Sequence, residues 1–226
     1  EGHRAGGRDH FYDVRDRRFN PARRIVHAAA APEEGYTPEL AAMLIYLNRT
    51  GYNGLFRVNA KGTFNVPAGR HGSVRICDPA NLRRLSAAFR EPGVSLQVTS
   101  FDRALAAAGP RDFVYLDPPY APVSATARFT GYTAGGFAAA DQARLYRSVL
   151  DLASIGARVL LSNSFAPDVA ALYDTAEARD AGLCIRTVEA RRAINSRAAR
   201  RGPVLEYLIS NISPVTGARG RAAAQG

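Results

Sequence analysis

Four consecutive residues, Asp117 to Tyr120, have side chains whose combined chemistry is specific enough to interpret. They follow the apolar run Phe113 to Leu116, which predicts a strand that ends in a carboxylate, two prolines and an aromatic ring. The exocyclic amine of a nucleobase is a poor nucleophile because its lone pair is delocalised into the ring. A site that activates this amine needs acceptors for both of its N–H bonds and a flat surface beside the base.

These residues supply such groups. The Asp117 carboxylate can accept one hydrogen bond, and the backbone carbonyl of Pro118 can accept another. Prolines restrict φ and lack an N–H, so Pro118 and Pro119 hold that carbonyl on a stiff backbone. The Tyr120 ring can stack on the base. An ordinary turn after a strand is the alternative interpretation, because Asp and Pro are common turn residues.

The composition narrows the class of protein. The 226 residues suffice for one domain or one and a half, and 46% hydrophobic with 22% charged residues is typical of a soluble globular protein. A net charge of +10 favours a nucleic-acid partner, but coding composition is an alternative cause because Lys61 is the only lysine. Cys77 and Cys184 are the only cysteines and lie far apart in the sequence, which indicates a reducing compartment. Neither has a histidine cluster beside it, so no metal site is expected. No apolar run reaches the length of a membrane span.

Two helices are predicted in the first half of the chain. Thr37 and Pro38 have the residue types of an N-cap and a first helical position, and Gly51 ends this helix. Asp78 and Pro79 begin the second helix in the same way. The predicted apolar faces are Leu40, Leu44, Ile45 and Leu47 in the first helix, and Leu82, Leu85 and Phe89 in the second.

Strand and helix patterns alternate in the second half. The predicted strands are 94–98, 112–116, 158–162, 183–188 and 204–210, and the predicted helices are 140–153 and 167–181. Such alternation predicts an α/β fold with a mostly parallel sheet covered on both faces. The last two strands, joined by a short basic connection, are expected to form a hairpin.

Several separated blocks together identify a family. The chain resembles the Dam-type DNA adenine-N6 methyltransferases, which use S-adenosylmethionine, over roughly residues 11 to 211. The blocks that carry the resemblance are 12–15 with Phe19-Asn20, 48–57, 64–70, 117–120, 121–126, 129–132, 161–163 and 191–194.

The resemblance implies an architecture and partners. The expected fold is a Rossmann-like class I methyltransferase sheet with a mainly helical target-recognition domain. We expect recognition in residues 1–78, the later part of the catalytic domain in 79–213 and a disordered tail in 214–226. The expected partner is double-stranded DNA at a GATC-like site, with adenine flipped out of the helix. We also expect a monomer that binds no metal and no membrane. The expected location is cytoplasmic and nucleoid-associated, in a prokaryote or phage.

The resemblance also assigns residues. Asp117, Pro118, Pro119 and Tyr120 are the expected catalytic residues, and Asp117 with Asp102 the expected cofactor contacts, although surface aspartates like Asp102 are common. The expected DNA-binding residues are Tyr52, Asn53, Leu55, Arg57, Asn65, Pro67, Arg70, Ser124, Thr126 and Arg197.

The DNA-binding assignments have alternatives. Tyr52 is expected to wedge into the base stack, and its alternative is a core tyrosine. Arg57 is expected to read guanine, and its alternative is a phosphate contact. Ser124, Thr126 and Phe129 could be simple loop residues, and Arg197, Arg200 and Arg201 could be either phosphate contacts or solvated surface residues.

One expected motif is missing. The family's glycine-rich turn, which follows a first strand and holds the cofactor, has no match here. The chain begins Glu1-Gly2-His3 without Met, so we expect a chain shortened at its N-terminus, with an incomplete sheet. A non-catalytic DNA-binding remnant is the second hypothesis. An enzyme for another amine, such as cytosine N4, RNA or a protein glutamine, is the third.

Overall fold

The computed structural model describes residues 2–28, 35–70, 74–123, 137–191 and 203–213. These residues form two compact units, one up to Thr99 and the other from Ser100 onward, each with its own hydrophobic core. The division between recognition and catalysis that we placed after residue 78 is a functional one, and it stays a prediction.

The first unit is helical. Its elements are α1 (Gly2–Tyr12), a π-helical stretch (Asp13–Phe19), α2 (Asn20–Ala28), α3 (Pro38–Thr50), a 3-10 turn (Tyr52–Gly54) and α4 (Pro79–Ala88). The predicted caps are confirmed. The Thr37 side chain accepts a hydrogen bond from the Leu40 N–H at 3.2 Å, and Gly51 follows the last residue of α3. The Asp78 carboxylate accepts one from the Asn81 N–H at 3.1 Å.

Aromatic and aliphatic residues from the helices and from the loop after α3 form the core of the first unit. The buried members are Phe11, Val14, Phe19, Val26, Leu40, Leu47, Phe64 and Val66. The predicted stripe of α3 is half right, because Leu44 and Ile45 are exposed while Leu40 and Leu47 are buried. The helix packs on the π-helical stretch and on the adjoining 3-10 turn, which together cover only part of its surface.

The prediction for the segment after residue 78 was wrong in two respects. The apolar face of α4 is exposed, and residues 94–98 form no strand. Every residue from Pro79 to Ser100 is exposed, so no described segment packs on this helix or pairs with the apolar run after it. An apolar pattern alone therefore did not define a strand here, because a strand needs a neighbour to accept its hydrogen bonds.

The second unit contains a sheet. Its elements are α5 (Phe101–Leu105), β1 (Phe113–Leu116), α6 (Ala139–Ser154), β2 (Arg158–Ser164), α7 (Pro167–Tyr173), α8 (Ala176–Asp180), β3 (Cys184–Arg191) and β4 (Pro203–Ser210). The strand order is β1-β2-β4-β3. Among the described strands, only β1 and β2 are parallel, whereas β4 is antiparallel to both β2 and β3. The sheet is thus mixed rather than mostly parallel, because the confirmed hairpin of β3 and β4 inserts its second strand beside β2.

One face of this sheet carries the core. Val159, Leu161 and Ile209 are buried together with apolar residues of α6 and α7. On the opposite face, Phe113 and Tyr115 are 59% and 56% exposed. The described helices therefore cover one face, where we expected both to be covered. The predicted helix 167–181 is two helices, because the Thr175 side chain caps α8 by accepting a hydrogen bond from the Ala178 N–H.

None of the helices in the described ranges has the length and apolarity that crossing a bilayer requires.

Candidate active site and nucleic-acid interface

The Asp117 to Tyr120 segment lies at the carboxyl edge of the sheet. β1 ends at Leu116, and because β1 and β2 are parallel, their carboxyl ends lie at the same edge. Glu206 of β4 is in register with Ser164, the last residue of β2, so it belongs to this edge as well. Ligands of open α/β sheets bind at such edges. Asp117 itself is exposed and does not belong to the hydrophobic core.

A serine orients the Asp117 carboxylate. Ser162 Oγ donates to Asp117 Oδ1 at 2.9 Å and lies 3.3 Å from the Tyr115 hydroxyl. Ser162 is buried in β2, so one carboxylate oxygen is tied to the rigid sheet. No described residue donates to Asp117 Oδ2, which leaves an acceptor at the exposed end of the side chain.

A second carboxylate anchors the Tyr120 ring. The Tyr120 hydroxyl donates to Glu206 Oε2 at 3.0 Å. Partial burial raises the pKa of Tyr120, and the hydrogen bond to Glu206 and the negative charges of Glu206 and Asp117 raise it further, whereas Ser162 lowers it. The hydroxyl therefore stays protonated at neutral pH and acts as a donor.

Polar side chains clamp the backbone that follows the proline pair. Asn163 Oδ1 accepts from the Ala121 N–H at 3.0 Å, and Ser164 Oγ donates to the Ala121 carbonyl at 2.6 Å. Asn163 is fully buried, and its Nδ2 donates to Gln142 Oε1 at 3.1 Å. The chain just after Tyr120 is therefore fixed by β2 and α6.

The two proline carbonyls differ in whether they accept a hydrogen bond from another described residue. Gln142 Nε2 donates to the Pro119 carbonyl at 3.1 Å. Across the described ranges, no group donates to the carbonyl of Pro118. The carbonyl that we predicted to accept a substrate N–H is thus the one that the fold leaves open.

Asp102, the weaker cofactor prediction, has a partner. It lies in α5, and its Oδ1 is 3.3 Å from Arg144 Nε, while the Arg144 guanidinium lies 4.9 Å from the centre of the Phe101 ring. Asp102 also borders a shallow cleft of about 240 Å³ together with Ser148 and Asp151. Its role in cofactor binding stays a prediction.

A loop after α3 holds most of the predicted DNA-binding residues. Two backbone hydrogen bonds close its ends, from the Tyr52 N–H to the Pro67 carbonyl at 2.9 Å and from the Gly69 N–H to the Thr50 carbonyl at 2.8 Å. The Tyr52 side chain is 38% exposed, so it is not a core tyrosine. Asn53 follows with a φ of 52°, a left-handed conformation that asparagine tolerates better than most residues.

Arg57 and Asn65 face each other across this loop. Arg57 Nε donates to Asn65 Oδ1 at 2.8 Å, and Nη2 donates to the Asn65 carbonyl at 3.4 Å. Arg57 remains exposed, so the outer edge of its guanidinium is available. Pro67 and Arg70 are also exposed, whereas Leu55 packs against the first core.

The sequence analysis did not assign a role to two residues that support the loop. Arg15 Nη1 donates to the Val66 carbonyl at 3.0 Å. Asn20 is buried and makes two bonds to Phe64, donating to its carbonyl at 3.0 Å and accepting from its N–H at 2.9 Å. Both belong to the block 12–15 with Phe19-Asn20 that carries the resemblance. The sequence feature that could have indicated the role of Asn20 is a polar residue beside the apolar Phe19.

Some predicted residues lie outside the described ranges. They are Ser124, Thr126, Phe129, Arg197, Arg200 and Arg201. Within those ranges, no group of three or more His, Cys, Asp or Glu side chains could hold a metal ion.

The geometry fits a methyl donor only at its reacting end. The exposed Asp117 carboxylate can face a sulfonium cation. The turn after β1 is the Asp-Pro-Pro-Tyr segment, and β2 leads through Phe165 into α7, so neither strand is followed by a glycine-rich turn for the rest of the cofactor.

Comparisons with known proteins agree with the resemblance. Residues 2–194 match the family model described as D12 class N6 adenine-specific DNA methyltransferase. The chain is 37% identical over 173 residues to the type II methyltransferase M1.LlaDCHI of Lactococcus lactis subsp. cremoris, which covers 76% of this chain and 58% of that protein.

Two further relatives show the same pattern. The type II methyltransferase M.MjaIII of Methanocaldococcus jannaschii is 39% identical over 172 residues, 75% of this chain and 56% of its own. The DNA adenine methylase of Escherichia coli K12 is 36% identical over 168 residues, 74% of this chain and 57% of its own. The matched part is thus less than two thirds of each relative's length. Because the family model matches most of the residues printed here, the chain belongs to the D12-class N6 adenine-specific DNA methyltransferases.

Proposed function

We propose that the protein containing this chain transfers a methyl group from S-adenosylmethionine to N6 of adenine in double-stranded DNA. The observation that carries this proposal is the pair of open acceptors beside Tyr120. Asp117 Oδ2 and the Pro118 carbonyl both lack donors within the described ranges, although neighbouring groups on the same segment are occupied.

The two acceptors match the two N–H bonds of the adenine amine. When both N–H bonds donate, the nitrogen lone pair becomes more available and is directed away from the acceptors. Positive charge that develops on the nitrogen is stabilised by the Asp117 carboxylate, which Ser162 holds in place. S-adenosylmethionine, when bound, would supply the methyl group: the bond between its sulfonium sulfur and the methyl carbon would break, with the electron pair left on sulfur, as the bond to N6 forms, and N6 would then lose one proton. The chain's own contribution is therefore positioning and charge stabilisation.

An adenine inside a duplex cannot reach these acceptors. The base must be flipped out, at a cost of a few kcal/mol for unstacking. The exposed Tyr52, at the start of the loop, is suited to fill the space that the base leaves. Tyr120 then provides a surface for the flipped ring.

Arg57 is the best candidate for reading sequence. The contacts with Asn65 occupy Nε and one N–H of Nη2, so Nη1 and the other N–H of Nη2 remain for a bidentate contact with guanine O6 and N7. This arrangement supports a GATC-like target. Asn53, Pro67 and Arg70 of the same loop, with Ser124, Thr126 and Arg197, would contact the surrounding DNA.

Duplexes that differ only at the target base test the proposal. Methyl incorporation is measured with the protein in its complete reading frame, using radiolabelled S-adenosylmethionine. A duplex with adenine in the target site should be labelled, and one with N6-methyladenine there should not. Label found on cytosine, on RNA or on protein would contradict the proposal.

A non-catalytic DNA-binding protein is the second candidate. It is favoured by the missing glycine turn after β1 and β2. Such a protein binds duplex DNA in the absence of S-adenosylmethionine and shows no binding of that donor in calorimetry.

A further inference from the structure

Tyr120 is held at both ends. Its backbone lies between Pro119, whose carbonyl accepts from Gln142, and Ala121, whose N–H donates to Asn163. At the far end of the ring, the hydroxyl donates to Glu206 Oε2 at 3.0 Å. Stacking needs only the face of the ring, so the hydroxyl and its partner are not explained by stacking itself.

Glu206 is carried by a rigid part of the fold. It lies in β4, in register with Ser164 of β2 on one side and with Val188 of β3 on the other. β4 therefore has hydrogen-bonded neighbours on both edges, and a side chain on such a strand is placed more precisely than one on a loop.

The choice of a carboxylate is informative. A neutral acceptor would satisfy a partly buried hydroxyl, and a second negative charge near Asp117 adds repulsion. Burial has the largest effect in raising the pKa of Tyr120, and the negative charges of Glu206 and Asp117 raise it further. A hydrogen bond to a charged acceptor is shorter and stronger than one between neutral groups, so it restricts the ring more tightly.

We propose that Glu206 is a positioning residue for the methyl-transfer site: by accepting the Tyr120 hydroxyl, it fixes the plane of the ring against which the flipped adenine stacks. The inference rests on the proposed function. Glu206 touches neither the substrate nor the donor, and it acts through Tyr120 alone. Its effect must therefore disappear when the Tyr120 hydroxyl is absent.

A double-mutant cycle tests this coupling. The variants are Glu206→Ala, Tyr120→Phe and the pair, with steady-state methyl transfer measured in the complete reading frame. Each single change should lower kcat/KM by about tenfold, the size expected when a charge-assisted hydrogen bond is lost, and the pair should lose no more than Tyr120→Phe alone. Losses that multiply in the pair, or a Glu206→Ala enzyme with unchanged kcat/KM, would overturn the proposal.

Two further variants separate positioning from a structural role. Glu206→Gln keeps an acceptor, so it should retain kcat/KM within about threefold, yet it removes a charge that raises the Tyr120 pKa. In this chain labelled with ¹³Cζ-tyrosine, the Tyr120 resonance should titrate at lower pH in Glu206→Gln than in the wild type. The matched control is Glu189→Ala, an exposed carboxylate on β3, which should change neither quantity.

The outcomes distinguish this inference from the proposed function. An unchanged Tyr120 titration in Glu206→Gln contradicts the inference even if Glu206→Ala fails to fold. A wild-type protein without methyl transfer to adenine contradicts the proposed function instead. Wild-type transfer with no effect of Glu206→Ala contradicts the inference alone.

Discussion

At the scale of single residues, the candidate site combines a local pattern with distant supports. The proposed acceptors lie within the consecutive residues Asp117 and Pro118, so a local sequence pattern was enough to propose them. Ser162 and Glu206, which orient Asp117 and Tyr120, lie 45 and 86 residues further along the chain. No spacing rule links residues so far apart, because the strand order that brings them together is set by the whole sheet.

Arg57 gives a prediction about specificity. Arg57→Ala should reduce discrimination at one base pair of the target by about 1–3 kcal/mol, because a bidentate contact with guanine is lost. The measurement compares binding of duplexes that carry each base in turn at every position of the site. Arg70→Ala, a change at another exposed loop arginine, is the control. If Arg57→Ala weakens binding equally for all duplexes, the residue contacts phosphate and our assignment is wrong.

At the scale of elements, residues of the π-helical stretch and of α2 hold the loop that follows α3. Asn20 bonds to both backbone groups of Phe64 as a neighbouring strand would, and Arg15 holds the carbonyl of Val66. A short helical segment thereby adds side-chain hydrogen bonds to a loop that also has backbone hydrogen bonds of its own, such as those from Asn59 to Thr63 and from Asn65 to Arg57. This explains why an arginine-rich, polar N-terminal segment is nevertheless folded around buried aromatic residues.

Removing the Asn20 side chain tests this support. Asn20→Ala leaves the buried N–H and carbonyl of Phe64 without partners, which should lower the free energy of unfolding by about 1–3 kcal/mol. In Asn20→Ala, amide hydrogen exchange in residues 57–65 should become faster than in the wild type, with a smaller change in the sheet of the second unit. Asn59→Ala, at an exposed residue of the same loop, loses only solvent-exposed turn hydrogen bonds and should cost less. Equal costs for the two changes would contradict the role of Asn20.

Removing the hydroxyl group from each of two tyrosines, one on α6 and one on α7, should change the stability of the chain in opposite directions. Among the described residues, the Tyr173 hydroxyl is buried without a hydrogen-bond partner, and burial raises its pKa strongly. Tyr173→Phe should therefore stabilise the chain by about 1 kcal/mol. The Tyr146 hydroxyl donates to Glu177 Oε2 at 2.9 Å and lies 3.1 Å from Thr175 Oγ1, so Tyr146→Phe should destabilise by a similar amount. Chemical denaturation measures both, and a destabilising Tyr173→Phe would show that the hydroxyl has a partner.

Sequence patterns predicted the elements whose signals are local, and they missed features that depend on contacts between distant segments. Helix caps at Thr37 and Asp78 and the strands around Val114 and Leu161 were predicted because their signals are local. The hairpin of β3 and β4 was predicted as well, but the position of β4 between β2 and β3 was not, because strand order depends on contacts between distant segments. The exposed apolar run at 94–98 shows the same dependence, since its pattern is that of a strand but no described neighbour pairs with it.

At the scale of the whole molecule, charge and family membership agree. A net charge of +10 suits a duplex partner, and affinity that depends on phosphate contacts should fall steeply with salt. The chain spans a little over half the length of the relatives it matches, so the activity of the complete protein is a proposal rather than a property of these residues.

In the proposed chemistry Asp117 activates the adenine amine, so Asp117→Ala should remove methyl transfer without removing DNA binding. Methyl transfer to a duplex with a GATC-like site and binding of the same duplex are measured side by side in the complete reading frame. Because Asp117 is exposed, the fold should survive the substitution. We expect methyl transfer to fall below detection. The dissociation constant for DNA should change by less than about threefold, which corresponds to under about 1 kcal/mol of binding free energy. Transfer by Asp117→Ala at the wild-type rate would contradict the account.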